Sequence, residues 1–142
     1  ASASERGGNG VRGRSPRASA VSWSLRIPYG DCDQQGVVFN AKYLAYVDDV
    51  VDVWFADVPG YLEGWEAMVK KATVEWSSPA RYRDVLECTP TVERWGRTSF
   101  DVRVDGTVGD RHVFSATLVY VAIASGTHEP IPVPDDVRER LS

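Results

Sequence analysis

From Val21 the chain alternates, with Val21, Trp23, Leu25 and Ile27 apolar and Ser22, Ser24 and Arg26 polar between them. A period of two belongs to a strand with one face in a core and the other in water, so a strand is expected over Val21 to Ile27. The period then changes. Tyr43, Leu44, Val47, Val50, Val51, Trp54 and Phe55 recur at helical spacing, while Lys42, Asp48, Asp49 and Asp52 occupy the other side. This pattern predicts an amphipathic helix from about Ala41 to Ala56. Asn40 is placed to cap it, and Pro59-Gly60 marks its stop region.

Beyond the helix the pattern returns to strands separated by turn signals. Met68 to Trp76 reads as one strand, and Ser78-Pro79 with the polar stretch Arg81 to Asp84 as a loop. Val85 to Trp95 reads as the next strand, broken by Gly96. Thr98, Phe100, Val102 and Val104 then alternate with polar neighbours up to a turn expected around Asp105-Gly106, and a last strand is expected from about His112 to Ala124. A short closing helix is expected over Asp135 to Leu141, after Pro134 and with Asp135 as its N-cap. Strand, loop, one long helix and four strands make an α+β pattern: a curved antiparallel sheet wrapped around a central helix. No internal repeat or second domain is legible.

Residues Ala1 to Ala20 differ in kind. They are rich in Ser, Gly and Arg, with Val11 the only large apolar side chain, and are expected to form a disordered tail before a single domain over 21–142. Arg6, Arg12, Arg14 and Arg17 against the single acid Glu5 give this stretch a transit-segment flavour, but no amphipathic helix pattern accompanies them. The whole chain of 142 residues is 43% hydrophobic, enough to bury about 68% of its extended surface as one core.

A net charge of −4 argues against general affinity for nucleic acid or an anionic membrane surface, so an anionic ligand has to be held locally. No run approaches the roughly 18 apolar residues of a membrane span. Cys32 and Cys88 form neither a C-x-x-C pair nor a zinc spacing and are expected to be reduced thiols, with a cytoplasmic location by default.

Candidate chemistry gathers in Tyr29 to Tyr43, Y-G-D-C-D-Q-Q-G-V-V-F-N-A-K-Y. Asp31 and Asp33, the Gly36 turn and Asn40 precede the long helix, whose first turn leaves N–H groups unsatisfied at the positive end of the macrodipole. Such a terminus can polarise a carbonyl while an Asp attacks it or activates water. A plain Asx-capped loop fits the same residues. A calcium loop fits Asp31, Asp33, Gln35 and Gly36, but its twelfth position is Lys42 where a bidentate Glu is required. His112 and His128 have no Ser at a recognisable elbow, so a Ser-His-Asp hydrolase finds no sequence support.

The segment Y-G-D-C-D-x-x-G-V-V-F-x-x-x-Y resembles the signature of the hotdog-fold acyl-CoA thioesterases of the 4-hydroxybenzoyl-CoA thioesterase group. Pro79 to Asp84 and the E-R-W-G-R-T-S-F stretch from Glu93 to Phe100 fall where that family has counterparts. The resemblance implies hydrolysis of an acyl-CoA thioester to a carboxylic acid and CoA. It assigns catalysis to Asp33, oxyanion donation to the Asn40 amide with help from the Gly36 turn, and nucleotide contact to Arg97, Thr98 and Ser99. Arg81, Arg83 and Arg94 are further cations that could assist. No metal or redox cofactor is implied, coenzyme A entering only as part of substrate and product. A homodimer pairing again into a homotetramer is expected. Thioesters on carrier proteins, or acyl-thioester binding without catalysis, are the alternatives.

Overall fold

The computed structural model describes residues 13–16 and 21–142. Strands β1 (Gly13–Pro16), β2 (Val21–Arg26), β3 (Trp65–Trp76), β4 (Val85–Trp95), β5 (Ser99–Val108) and β6 (Arg111–Ala124) form one antiparallel sheet in the order β1-β2-β4-β5-β6-β3. Helix α1 (Lys42–Ala56) lies on its inner face, and the short α2 (Asp135–Leu141) ends the chain. This is the α+β arrangement that the sequence pattern predicts. Gly13–Pro16, part of the expected tail, pairs with β2 as an edge strand; the rest of 1–20 lies outside the described residues.

The two periods meet in a single core. Helix α1 turns Tyr43, Tyr46, Val47, Val50, Val51, Trp54 and Phe55 inward. The strands oppose them with every second residue, so that Phe100, Val102 and Val104 on β5 stand across from Tyr120, Leu118 and Ala116 on β6, all buried. Phe55 is the hub, with the rings of Trp54, Tyr61, Trp65, Phe100 and Tyr120 all within 6 Å of its centroid. Burying such a ring contributes about 1.5–3 kcal/mol by transfer alone.

Three local expectations are corrected. Asn40 does not cap α1: Lys42 N–H donates to Phe39 O at 2.8 Å, a turn that makes Ala41, already in helical backbone geometry, the cap residue with no side-chain bond. Asp135 sits inside α2, because Pro134, extended at ψ 146°, is its cap. No turn forms at Asp105-Gly106; β5 runs on to Val108, and the reversal falls at Gly109, whose φ of +59° suits it.

Both cysteines are free thiols. Burial pushes the Cys88 thiol up to about 12; burial, then Asp31, Asp33 and Asp84, also raise that of Cys32. A thiolate is the nucleophile, so an aromatic disulfide reagent at neutral pH should titrate Cys32 slowly and Cys88 only after denaturation. The sign for stability follows: unfolded Cys88 would ionise near its ordinary 9.0, so its contribution is intact below that pH and is lost progressively as pH rises toward about 12. The buried Tyr43 and Tyr120 phenols, raised first by burial, act in the same direction. Circular dichroism along an alkaline titration checks this, and rapid modification of Cys88 in the folded protein would contradict it.

Candidate active site

The loop between β2 and α1 is a small hairpin. Cys32 bridges Val38, Asp33 N–H donates to Val37 O at 2.9 Å, and Gly36 N–H returns to Asp33 O at 3.0 Å. Gly36 has φ +76°, which only glycine adopts without strain, so this residue lets the loop turn back. Asp33 rides exposed at the tip. Its Oδ1 accepts from Gln35 N–H at 2.8 Å, an Asx-turn that orients the carboxylate.

Asp31 does different work. Its Oδ2 accepts from the Tyr46 hydroxyl at 2.8 Å, its Oδ1 lies 3.6 Å from Lys42 Nζ, and its carbonyl accepts from Phe39 N–H at 2.9 Å. The two ends of the loop are thereby tied to the first turns of α1. Burial, and then the bond to Asp31, push the Tyr46 phenol far above its ordinary value, so it remains the donor. Lys42, read from sequence as the residue that spoils a calcium loop, is the partner of Asp31.

Between this loop and the end of β3 opens a cleft of about 270 Å³, lined by Val37, Val38, Asn40, Tyr43, Trp76 and the Ser77 to Pro79 bend. Asn40 sits on its wall at the start of α1. Neither the Asn40 nor the Ala41 N–H has an acceptor among the described residues, so both remain available to a ligand. The positive end of the helix dipole points the same way. Asp33 does not line the cleft of the single chain; it is one hydrogen bond from Val37, which does. The floor is rigid: Tyr43 is buried, accepts from Ala80 N–H at 3.0 Å and packs its ring on Phe114 at 5.3 Å and Trp76 at 6.0 Å.

Arg97, Thr98 and Ser99 are not brought to this cleft. They occupy the turn between β4 and β5, where Ser99 pairs with Val121, whereas the cleft adjoins Phe114 at the other end of β6. Residues 114 and 121 stand about 23 Å apart along an extended strand. The Arg97 carbonyl accepts from Val133 N–H at 2.8 Å and its side chain is exposed. Arg94 is committed elsewhere, forking onto both carboxylate oxygens of Asp101 at 3.1 and 3.0 Å. Arg81 and Arg83 are exposed, Arg83 lying over the Tyr82 ring.

One group escaped the sequence reading. His112 has a serine partner after all: its Nδ1 lies 2.7 Å from Ser77 Oγ. The two residues are separated by 35 positions and meet only because β3 pairs with β6, so no local motif could have announced them.

The family model of the thioesterase-like superfamily matches residues 27–141. The chain belongs to that superfamily. Among curated relatives, it is 32% identical over 82 residues to the acyl-CoA thioester hydrolase YbgC of Escherichia coli O6:H1, a match spanning 54% of this chain and 61% of that protein. Solved structures agree on the fold. A thioesterase-superfamily protein from Jannaschia sp. CCS1 superposes with a TM-score of 0.79 at 23% identity, covering 89% of this chain and 94% of that one. A mutant 4-hydroxybenzoyl CoA thioesterase complexed with 4-hydroxybenzoyl CoA gives 0.75 at 24% identity, covering 88% and 100%. The sheet and its central helix are therefore the hotdog fold that the loop signature implied.

Proposed function

We propose that this thioesterase-superfamily chain hydrolyses acyl-CoA thioesters. The observation that carries the reading is the unpaired N–H of Asn40, a residue just before α1 that lines the cleft beside the loop holding Asp33. A thioester needs little activation, since its thiolate leaves readily. Asp33 attacks the carbonyl to give a mixed anhydride that water resolves, or takes the proton of an attacking water. On either route the carbonyl oxygen gains negative charge, and a preorganised N–H at a helix start stabilises it; one such donor is worth about 3–4 kcal/mol. Only Oδ1 of Asp33 is held by Gln35, which leaves Oδ2 for the chemistry. The side chains of Trp76, Val37 and Val38 offer the acyl group an apolar wall.

The separation of Arg97 from the cleft supports a site shared between two chains. Strand β3 is a sheet edge twelve residues long, with Met68, Val69 and Trp76 exposed, and such an edge pairs readily with another copy. Antiparallel pairing of β3 with its symmetry mate sets the Trp76 end of one chain beside the Trp65 end of the other. The partner's β4–β5 turn then approaches the cleft, and Arg97 with Thr98 and Ser99 meets the phosphates of CoA there. The dimer pairs again into a tetramer in this reading.

A substrate panel tests the proposal. Loss of thioester absorbance is followed with aliphatic and aromatic acyl-CoAs, the same acyl groups on a carrier protein, and their dephospho-CoA analogues. Turnover of the CoA esters, weaker for the analogues lacking the 3′-phosphate, is the expected result. Turnover of carrier-bound groups alone would move the substrate to the carrier protein, and ligand-induced stabilisation without hydrolysis would make the chain a binding protein.

A further inference from the structure

A second set of reactive groups opens on the same cleft. Ser77 follows β3 and lines the cleft, while His112, Ser115 and Asp105 stand behind it on β6 and β5. The hydrogen bonds run in one direction. Ser115 Oγ donates to Asp105 Oδ1 at 2.7 Å, so its lone pairs are left to accept: one from Arg103 Nη2 at 3.0 Å and one from His112 Nε2 at 2.9 Å. With its proton on Nε2, the neutral imidazole presents a bare Nδ1, and the Ser77 hydroxyl 2.7 Å away donates to it. Asp105 Oδ1 is itself 3.6 Å from Nε2, near enough to stabilise the ring when it takes up a second proton. Arg103 Nε, at 3.1 Å from both Asp105 oxygens, keeps that carboxylate ionised.

The frame around Ser77 is firmly built. Ser77 N–H donates to Val113 O at 2.7 Å and Ser78 Oγ to His112 O at 2.6 Å, so the bend is fastened to the strand that carries the histidine. Arg111 Nη1 holds the far side through Ser78 Oγ at 2.8 Å and Pro79 O at 2.6 Å. Nothing in the Asp33 mechanism requires a hydroxyl bound to an imidazole whose other nitrogen leads to a carboxylate. That arrangement is how a serine is made nucleophilic.

We propose that Ser77, activated by His112 with Ser115 and Asp105 behind it, is a second acyl-accepting nucleophile of the cleft, reactive toward activated esters. Ser77 Oγ forms a bond to the carbonyl carbon as its proton passes to His112 Nδ1. The tetrahedral oxyanion, formed in the cleft that Asn40 also lines, collapses, the bond to the leaving group breaks, and the leaving group takes the proton back from Nδ1. Water then attacks the carbonyl of the seryl ester and gives its proton to Nδ1, the bond between Ser77 Oγ and the acyl carbon breaks, and Nδ1 returns the proton to Oγ, leaving a carboxylic acid and the Ser77 hydroxyl. This route shares the cleft with the thioester reading and does not use Asp33, so either can fail alone.

The test uses the full chain with a fluorophosphonate probe and with 4-nitrophenyl acetate, followed by intact mass and peptide mapping. A single adduct on Ser77 is expected in the wild type and in Asp33→Asn. It should vanish in Ser77→Ala and form at least tenfold more slowly in His112→Gln, with circular dichroism confirming that each variant is folded. Asp105→Asn should fall between wild type and His112→Gln. A folded wild type that takes no label on Ser77, labels Ser78 instead, or labels equally fast in His112→Gln would overturn the proposal.

Discussion

Asp33→Asn should lower thioester hydrolysis by about 10²- to 10⁴-fold, the range of a positioned general base, with little change in stability. The substitution is informative because of how Asp33 is held. Its Oδ1 accepts from Gln35 N–H, and an asparagine oxygen can accept the same bond, so the Asx-turn and the hairpin survive. What disappears is the charge on the second oxygen, the group proposed to attack or deprotonate. Asp31→Asn is the matched control. Asparagine there still accepts from Tyr46, and the only loss is a half-exposed pairing with Lys42, worth about 0–1 kcal/mol. Its rate should stay within a few-fold of wild type. Equal rates for wild type and Asp33→Asn would remove Asp33 from the mechanism; a large loss in Asp31→Asn alone would transfer the role to Asp31.

The second large effect is on stability. Gly106→Ala should cost about 3 kcal/mol, the upper range for forcing extra volume into a packed core, and lower Tm by roughly 10 °C. A Cβ at Gly106 would lie 2.1 Å from Phe114 Cε1 and 2.5 Å from Cδ1, inside contact distance. The ring has no room to retreat, since Phe114 is buried and packs on Tyr43, itself buried and bonded to Ala80. The clash is one of cross-strand partners, because Gly106 and Phe114 are directly opposed in the β5–β6 register. Trimming the ring should therefore rescue: Gly106→Ala with Phe114→Leu should be more stable than Gly106→Ala alone. Chemical denaturation of the two singles and the double gives the coupling, and a Gly106→Ala protein within 0.5 kcal/mol of wild type would contradict the packing argument.

How much of this was legible beforehand can be read from the same residues. The alternation from Val21 and the helical spacing from Tyr43 to Phe55 located β2 and α1 within a residue or two, because burying one face of a strand or helix imposes its period on neighbours in sequence. The loop motif carried the superfamily, since a glycine at positive φ and acids before a helix are local demands. Gly106 was misread for the opposite reason. An Asp-Gly pair looks like a turn, and only the ring of Phe114 across the sheet explains a glycine inside a strand. Asn40 looked like a cap, but one additional turn made Ala41 the cap and left the Asn40 N–H for the cleft.

By itself, then, the sequence determined the types and order of the elements from Val21 onward, the α+β class and the loop that carries the candidate chemistry, all of which follow from periodicity and turn preferences over a few residues; the edge strand Gly13–Pro16 was not among them. Tertiary structure alone decided which groups meet. It tied Asp31 to Tyr46 and Lys42, set Arg97 at the far end of the sheet from the cleft, and brought Ser77 against His112. Those juxtapositions depend on strand register and on which strands are neighbours. A pairing between β3 and β6 leaves no periodic trace in either segment, because side chains alternate between the two faces of a strand while the pairing runs through the backbone at its edge.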